Sequence, residues 1–173
     1  MKILAVATSV LLLSVGLAAQ GSPAKGKAKS GITTTLSNLG CSTPIGADTF
    51  AVQSWSWGAS NPVDLIGGGG GAGKVSVSDV HVQKGFDGCS PALFGAVATG
   101  KAFQTLTLTQ SNTDGTATTL LLTDVRVSSW QASGSIASES ATESVSFAFT
   151  KVCLTDGVSG AKFCYDIKAN KMF

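Results

Sequence analysis

Short stretches in which apolar and polar residues alternate are the feature of this sequence that most restricts its fold. Val145, Phe147 and Phe149 alternate with small residues, and a period of two is typical of a strand with one buried face. Abundant Ser, Thr, Val and Gly also favour strands and tight turns over amphipathic helices. The predicted strands are Ile32 to Leu39, Phe50 to Trp57, Lys74 to Lys84 with a change of phase at Asp79, Phe103 to Gln110, Thr118 to Trp130, Glu143 to Leu154 and Lys162 to Ile167.

One segment departs from this pattern and predicts a helix. Ser90 and Pro91 can serve as N-cap and first helical residue, Leu93, Phe94 and Val97 form an apolar face, and Gly100 can end the helix. The predicted fold class is therefore mainly β: a small antiparallel β-barrel of two packed sheets with one short α-helix.

The N-terminal residues have the pattern of a secretory signal peptide. Lys2 precedes an apolar run that ends in small residues at Ala19, and this run is short for a membrane span. We predict a signal peptide at 1–19, a flexible linker at 20–31 and one domain at 32–173. The mature chain is expected to be secreted or periplasmic, without membrane insertion after the signal is cleaved.

Four cysteines lie in the predicted mature chain, and an oxidising compartment favours disulfide bonds between them. Cys153 and Cys164 flank a turn-rich stretch, which favours a bond between them and leaves Cys41 to pair with Cys89. Three pairings remain open on sequence alone. The alternative, a zinc site, lacks the required ligand spacing, since the only histidine is His81.

The sequence carries no strong enzymatic signal. Gly68 to Lys74 resembles a phosphate-binding loop, but Val75 stands where a Ser or Thr is needed. His81 is interpreted as a surface or interface residue, and Glu139 and Glu143 as parts of a solvated loop. We predict no catalytic residues, no metal and no cofactor.

Charge and aromatic content restrict the kinds of partner that the chain can bind. The formal net charge of +2 is too small to indicate a nucleic-acid partner. Trp55 and Trp57 share one strand face, where they could form a ligand platform, although packing in the core or in a subunit interface is the favoured interpretation.

Three collinear motifs resemble the Hcp (haemolysin-coregulated protein) family, the tube subunits of type VI secretion systems. They are Ser54-Trp55-Ser56-Trp57-Gly58, then Lys84 with Asp87, Ser90, Pro91 and Leu93, then Ala98-Thr99-Gly100-Lys101. The stretches from Leu122 to Ser129 and from Glu143 to Phe147 also resemble the last strands of the family. The resemblance spans roughly residues 32 to 152. It implies a small β-barrel with one helix that assembles into rings, usually hexamers, which can stack into a tube and carry effectors. The motif residues, which include Trp55, Trp57, Lys84, Asp87 and the helix, would then support fold or assembly.

Two features differ from the family's pattern: the signal peptide and the added cysteines. A second hypothesis follows, namely a periplasmic or extracellular binding module that keeps the same barrel and uses its loops for a polysaccharide or protein ligand. A secreted hydrolase is a third reading, with only His81 to support it.

Overall fold

A computed structural model describes residues 30–62, 74–138 and 140–173 of the chain. The predicted signal peptide, the linker up to residue 29, the glycine run at 67–73 and Glu139 lie outside the described residues. Within those three described ranges, no helix has the length and apolar character that crossing a membrane requires.

Short strands dominate the described chain, because its β-branched and aromatic residues fit a pleated, half-buried surface. The helix α1 (Ser90–Thr99) lies between the eighth and ninth strands. The strands are β1 (Gly31–Leu36), β2 (Ser42–Thr43), β3 (Gly46–Ala47), β4 (Thr49–Val52), β5 (Ser54–Ser56), β6 (Ala59–Ser60), β7 (Ser76–Val77), β8 (Val80–Gly85), β9 (Ala102–Ser111), β10 (Ala117–Ser133), β11 (Thr142–Ala148), β12 (Lys151–Thr155), β13 (Lys162–Asp166) and β14 (Lys171–Met172).

The 17-residue strand β10 organises a ten-stranded sheet. It pairs with β9 along one edge, and with β12 and then β11 along the other. β11 leads on to β8 and β5, β12 leads on to β13 and β14, and β1 joins β9 to β4. The hairpins β2–β3 and β6–β7 form separate two-stranded sheets. Every pairing is antiparallel, which confirms the prediction of a mainly β chain with antiparallel sheets and one short helix.

The predicted strand from Glu143 to Leu154 is interrupted, which corrects the sequence-based assignment. Phe149 and Thr150 separate β11 from β12, opposite Asp124, which adopts a positive φ of 54°. Thr150 Oγ1 donates a hydrogen bond of 2.8 Å to Asp124 Oδ2. At this irregularity the sheet divides, because β11 turns toward β8 while β12 turns toward β13.

Two further predicted strands are also divided. The strand predicted from Phe50 to Trp57 breaks at Gln53, whose N–H donates to Gln83 O at 2.7 Å. Lys74 to Lys84 is not one bent strand, because the change of phase at Asp79 is a true break. Its first part, β7, pairs with β6, whereas its second part, β8, pairs with β11 and β5.

The core lies between the inward faces of the strands and α1, where strands contribute every second residue. Trp55 and Trp57 are partly buried and pack against this core, in line with the favoured interpretation of both. The fully buried apolar side chains include Leu36, Phe50, Leu93, Leu106, Leu120, Val125 and Phe147.

Both disulfide bonds have the predicted connectivity. Cys41–Cys89 joins the segment before β2 to the residue that precedes α1. Cys153–Cys164 joins directly opposed residues of β12 and β13. The first bond therefore fixes a loop to the helix, and the second reinforces one strand pairing.

Helix α1 ends as predicted but begins and packs differently. Gly100 has a φ of 64°, a left-handed conformation that suits glycine at a helix end. The N-cap position is held by Cys89, whereas Ser90 is a helical residue whose side chain is buried. Leu93 is buried and Val97 packs partly buried against the core, as predicted, but Phe94 is 54% exposed. Ala96 is the second fully buried apolar residue of the helix.

Candidate functional site

A buried polar cluster brings together several of the motif residues at the end of β8. Lys84 has no exposed surface. Lysine is almost never fully buried unless its charge has a partner. Its Nζ lies 2.5 Å from Glu143 Oε1 and 2.9 Å from Asp87 Oδ1, and it donates to Gly85 O at 2.9 Å. The ring of Phe50 lies 5.3 Å from the same nitrogen. The opposite charges, the hydrogen bonds and the aromatic face offset the desolvation cost of burying the Lys84 ammonium group.

Ser90 connects this cluster to the start of α1. Its Oγ donates to Glu143 Oε1 at 2.9 Å and accepts a hydrogen bond of 2.9 Å from Asp87 N–H. Asp87 Oδ1 also accepts from Cys89 N–H at 2.8 Å, as aspartates in tight turns commonly do. The Lys84, Asp87 and Ser90 side chains therefore shape the turn between β8 and the helix.

Glu143 and Trp130 complete the cluster, and neither is among the site residues that the sequence predicts. Glu143 is 3% exposed in β11, so the interpretation as part of a solvated loop is wrong. Trp130 Nε1 donates to Glu143 Oε2 at 2.8 Å. The period of two in the sequence could have predicted the burial of Glu143. This residue lies two positions before Val145 and four before Phe147, which are both buried, so it shares their inward face.

The remaining motif residues stabilise two other junctions. Beside the hairpin β6–β7, Gly58 N–H donates to Ser78 Oγ at 3.1 Å, and Gly58 O accepts a hydrogen bond of 3.0 Å from Ser78 N–H. Lys101 Nζ donates to Asn38 O at 2.6 Å, which ties the end of α1 to the loop after β1. Pro91 is exposed in the first turn of the helix, and Gly100 O accepts from Arg126 at 2.6 Å.

A charged side chain also organises the loop that carries Cys41. Asp48 Oδ1 accepts hydrogen bonds from Gly40 N–H at 2.7 Å and Cys41 N–H at 3.2 Å. These two donors hold the pKa of the Asp48 carboxyl below its ordinary value of 3.8, with the Gly40 donor contributing most. The loop that the disulfide attaches to α1 is therefore also fixed by a carboxylate.

His81 is exposed, as predicted, and belongs to a short chain of hydrogen bonds. Its Nδ1 lies 2.7 Å from Ser146 Oγ, which accepts a hydrogen bond from Ser129 Oγ at 2.7 Å. Among the described residues, His81 has no carboxylate as hydrogen-bond partner, so nothing there orients the ring in the way that a catalytic triad requires. In the described ranges, no three potential metal-ligating side chains converge.

The fold and the buried cluster define a structural class: a mainly antiparallel β protein in which an internal ion pair joins strands to a short helix. A family model described as "Type VI secretion system effector, Hcp" matches residues 40–155. No curated protein sequence matches the chain. The chain belongs to the Hcp family of type VI secretion system effectors, which confirms the family indicated by the motifs.

Solved structures agree with this membership. The crystal structure of Hcp1 from Salmonella typhimurium is 26% identical, with a TM-score of 0.70, and the match covers 83% of this chain and 99% of that one. A structure of a type six secretion system protein is 23% identical, with a TM-score of 0.71 and coverages of 84% and 100%. A type VI secretion system effector from Yersinia pestis is 21% identical, with a TM-score of 0.62 and coverages of 78% and 98%. The last two structures, at 23% and 21% identity, show only that the fold is similar.

Proposed function

We propose that the exported, mature chain is a structural subunit of homo-hexameric rings, which can stack into a tube and hold an effector in the lumen. The observation that carries this proposal is the family match over residues 40–155, together with a fold that covers 99% of Salmonella Hcp1. In this function the protein acts by assembly and has no catalytic role.

The strand pairings support closure of the sheet into the barrel that this function needs. Starting from β1, the pairings pass through β9, β10, β11 and β8 to β5. β5 follows β4 after the single residue Gln53, and β4 pairs with β1. Closure removes free strand edges, which would otherwise promote unspecific pairing between subunits.

Exposed apolar side chains support self-association. Large apolar side chains on a monomer surface are typical of a contact with another protein when they lie together. Here they occur just before α1, within α1 and at the C-terminal strands, and they include Phe86 at 48%, Phe94 at 54%, Phe163 at 54%, Met172 at 68% and Phe173 at 63% exposure.

The buried cluster gives the motif residues an indirect role in this assembly. Lys84 and Ser90 have no exposed surface, so neither can contact a neighbouring subunit. We propose that they orient α1 and the turn before it, and that exposed residues such as Phe94 make the contacts. Lys84 and Ser90 are thus positioning residues.

Export before assembly is supported by the predicted signal peptide and by the pairing of all four cysteines. We propose one domain from residue 32 to 173, released by signal cleavage into the periplasm or the medium. A ring subunit that folds there would use both disulfide bonds to stabilise its fold.

Negative-stain electron microscopy and mass photometry of the oxidised, exported chain test the proposal. Rings with the mass of six subunits are expected, and a strict monomer at high concentration contradicts the assembly role. Phe163→Ser tests one exposed apolar site, and Lys162→Ser, at the adjacent exposed position of β13, is the matched control. If the rings use the C-terminal strands, only the first variant weakens them.

A polar groove favours one alternative, an exported binding module on the same fold. The groove has a volume of about 220 Å³ and is lined mainly by side chains that can form hydrogen bonds, as polysaccharide ligands require. Its lining residues are Ser54, Trp55, Ser56, His81, Gln83 and Ser144. Glycan binding that Gln83→Ala abolishes would favour this module, whereas ring formation without glycan binding contradicts it.

A further inference from the structure

The outer face of α1 lacks the charged residues that a helix in contact with solvent ordinarily carries. A surface helix usually combines an apolar inner face with a charged outer face. From Ser90 to Thr99, however, α1 contains no charged residue, and its exposed positions include Pro91, Phe94 and Ala98. A helix that is apolar on all sides is expected to be covered on all sides, so this outer face is suited to a contact with another apolar surface.

A second apolar surface is a cleft between the hairpin β6–β7 and the strands β12 and β13. Its volume is about 170 Å³, and each described residue that lines it is apolar or aromatic. Trp57 and Val77 lie on one side, and Leu154 and Phe163 on the other. Leu154 and Phe163 are 38% and 54% exposed, so the cleft is open to an apolar group from outside.

The two surfaces lie toward different ends of β10. Phe94 packs against Trp130, near the end of this strand, with ring centroids 5.2 Å apart. Leu154 of the cleft is directly opposed to Leu120, near the start of the strand. Trp130 follows Leu120 by ten positions, which span up to about 33 Å along a strand. In a ring, each subunit presents one surface to one neighbour and a different surface to the other, so two separate apolar surfaces on one chain suit a head-to-tail contact.

We propose that Phe94 of one subunit inserts into the cleft of the next subunit, and that this contact repeats around the ring. The contact depends on the ring assembly proposed above and specifies its two surfaces. The cleft suits a single aromatic ring, because an apolar cavity of about 150 Å³ is known to accommodate benzene. Burying the outer face of α1 takes no charged group of the helix out of water, and interface centres are typically rich in aromatic residues and poor in charged ones.

The test uses two variants of the oxidised, exported chain, each of which damages one surface. Phe94→Glu changes the helix and Phe163→Glu changes the cleft. Both positions are exposed, so near-UV circular dichroism is expected to show a native fold in each variant. Each variant alone is expected to be monomeric in sedimentation velocity, because a carboxylate without a partner is unfavourable in an apolar contact. Lys162→Glu, next to the cleft but not lining it, is the matched control and is expected to keep the rings.

An equimolar mixture of the two aromatic variants distinguishes this contact from other modes of assembly. One intact Phe94 and one intact cleft can meet in each pair, and the two remaining surfaces of the pair are damaged. Complexes of two subunits are therefore expected, without rings.

Two outcomes overturn the contact while ring assembly by the unmodified chain stands. Either aromatic variant alone still forms rings, or the mixture stays monomeric, as expected if another segment of the same chain or an unrelated partner occupies the cleft. A monomeric unmodified chain contradicts the ring assembly itself and, with it, this contact.

Discussion

Lys84 and Glu143 form an ion pair in which both side chains are fully buried, although 59 residues separate them in the sequence. The pair joins β8 to β11, where the two residues are directly opposed in the strand register. Ser90, Asp87 and Trp130 satisfy the remaining donors and acceptors around it. A pair of this kind costs a large desolvation energy, so its value to the fold depends on the completeness of the surrounding hydrogen bonds.

Removing one partner of this pair is expected to destabilise the protein strongly. Lys84→Met leaves Glu143 buried without its cation, and we expect a loss of about 3 to 5 kcal/mol in the free energy of unfolding. The double variant Lys84→Met/Glu143→Gln is expected to lose less than the sum of the two single losses. Urea unfolding gives the free energy of unfolding of both single variants and of the double variant. Lys162→Met, at an exposed position, is the control, and equal losses in both lysine variants would refute the role of the cluster.

The two disulfide bonds are expected to contribute unequally to stability. Cys41–Cys89 closes a sequence separation of 48 residues and Cys153–Cys164 one of 11. The loop-entropy relation gives about 4 kcal/mol for the first and about 3 kcal/mol for the second. Thermal and urea unfolding of Cys41→Ala/Cys89→Ala and Cys153→Ala/Cys164→Ala would show the difference. A larger loss in the second variant would contradict this order.

The interruption of the strand at Phe149 predicts different costs for two neighbouring aromatic residues. Phe147 is fully buried, and Phe147→Ala is expected to cost about 3 to 5 kcal/mol through lost burial and a cavity. Phe149 is only partly buried, against Trp57, so Phe149→Ala is expected to cost less. Urea unfolding of both variants is the measurement, and equal costs would mean that the strand runs on without a break.

Asp48 predicts an acid-sensitive contribution to stability. Because hydrogen bonds from Gly40 and Cys41 lower the pKa of its carboxyl in the folded state, ionised Asp48 stabilises the fold at pH values above the ordinary pKa of 3.8. This contribution is lost as the pH falls from there through the lowered pKa. Urea unfolding at about pH 6, pH 4 and pH 3 should show a smaller acid loss in Asp48→Asn than in the unmodified chain. Parallel pH curves would exclude the effect.

The alternation of residues predicts most strands because burial on one face leaves a period of two in the sequence. It does not predict every position at which a strand breaks. The break at Thr150 depends on Asp124, which lies in β10 and adopts a positive φ. Such a contact joins residues far apart in the chain, so local pattern carries no sign of it.

Only part of the candidate site can be predicted from the sequence, because the rest depends on contacts between distant residues. Lys84, Asp87 and Ser90 are close in sequence, and the structure brings their side chains together. Glu143 was assigned to solvent because its neighbours are small and polar, and only the pairing of β11 with β8 places it beside Lys84. The sequence pattern places Phe94 on the apolar face of the helix, but in the structure its ring is exposed and packs against Trp130, with ring centroids 5.2 Å apart.

The position of the Cys41–Cys89 bond affects how readily this bond can be reduced in the folded chain. Cys89 has no exposed surface, and the loop that carries Cys41 is held down by Asp48. A reductant can attack the buried sulfur of Cys89 only when that loop opens, so attack on this sulfur requires a local unfolding step. A chain that has folded under oxidising conditions is therefore expected to retain this disulfide bond after it moves to a more reducing environment.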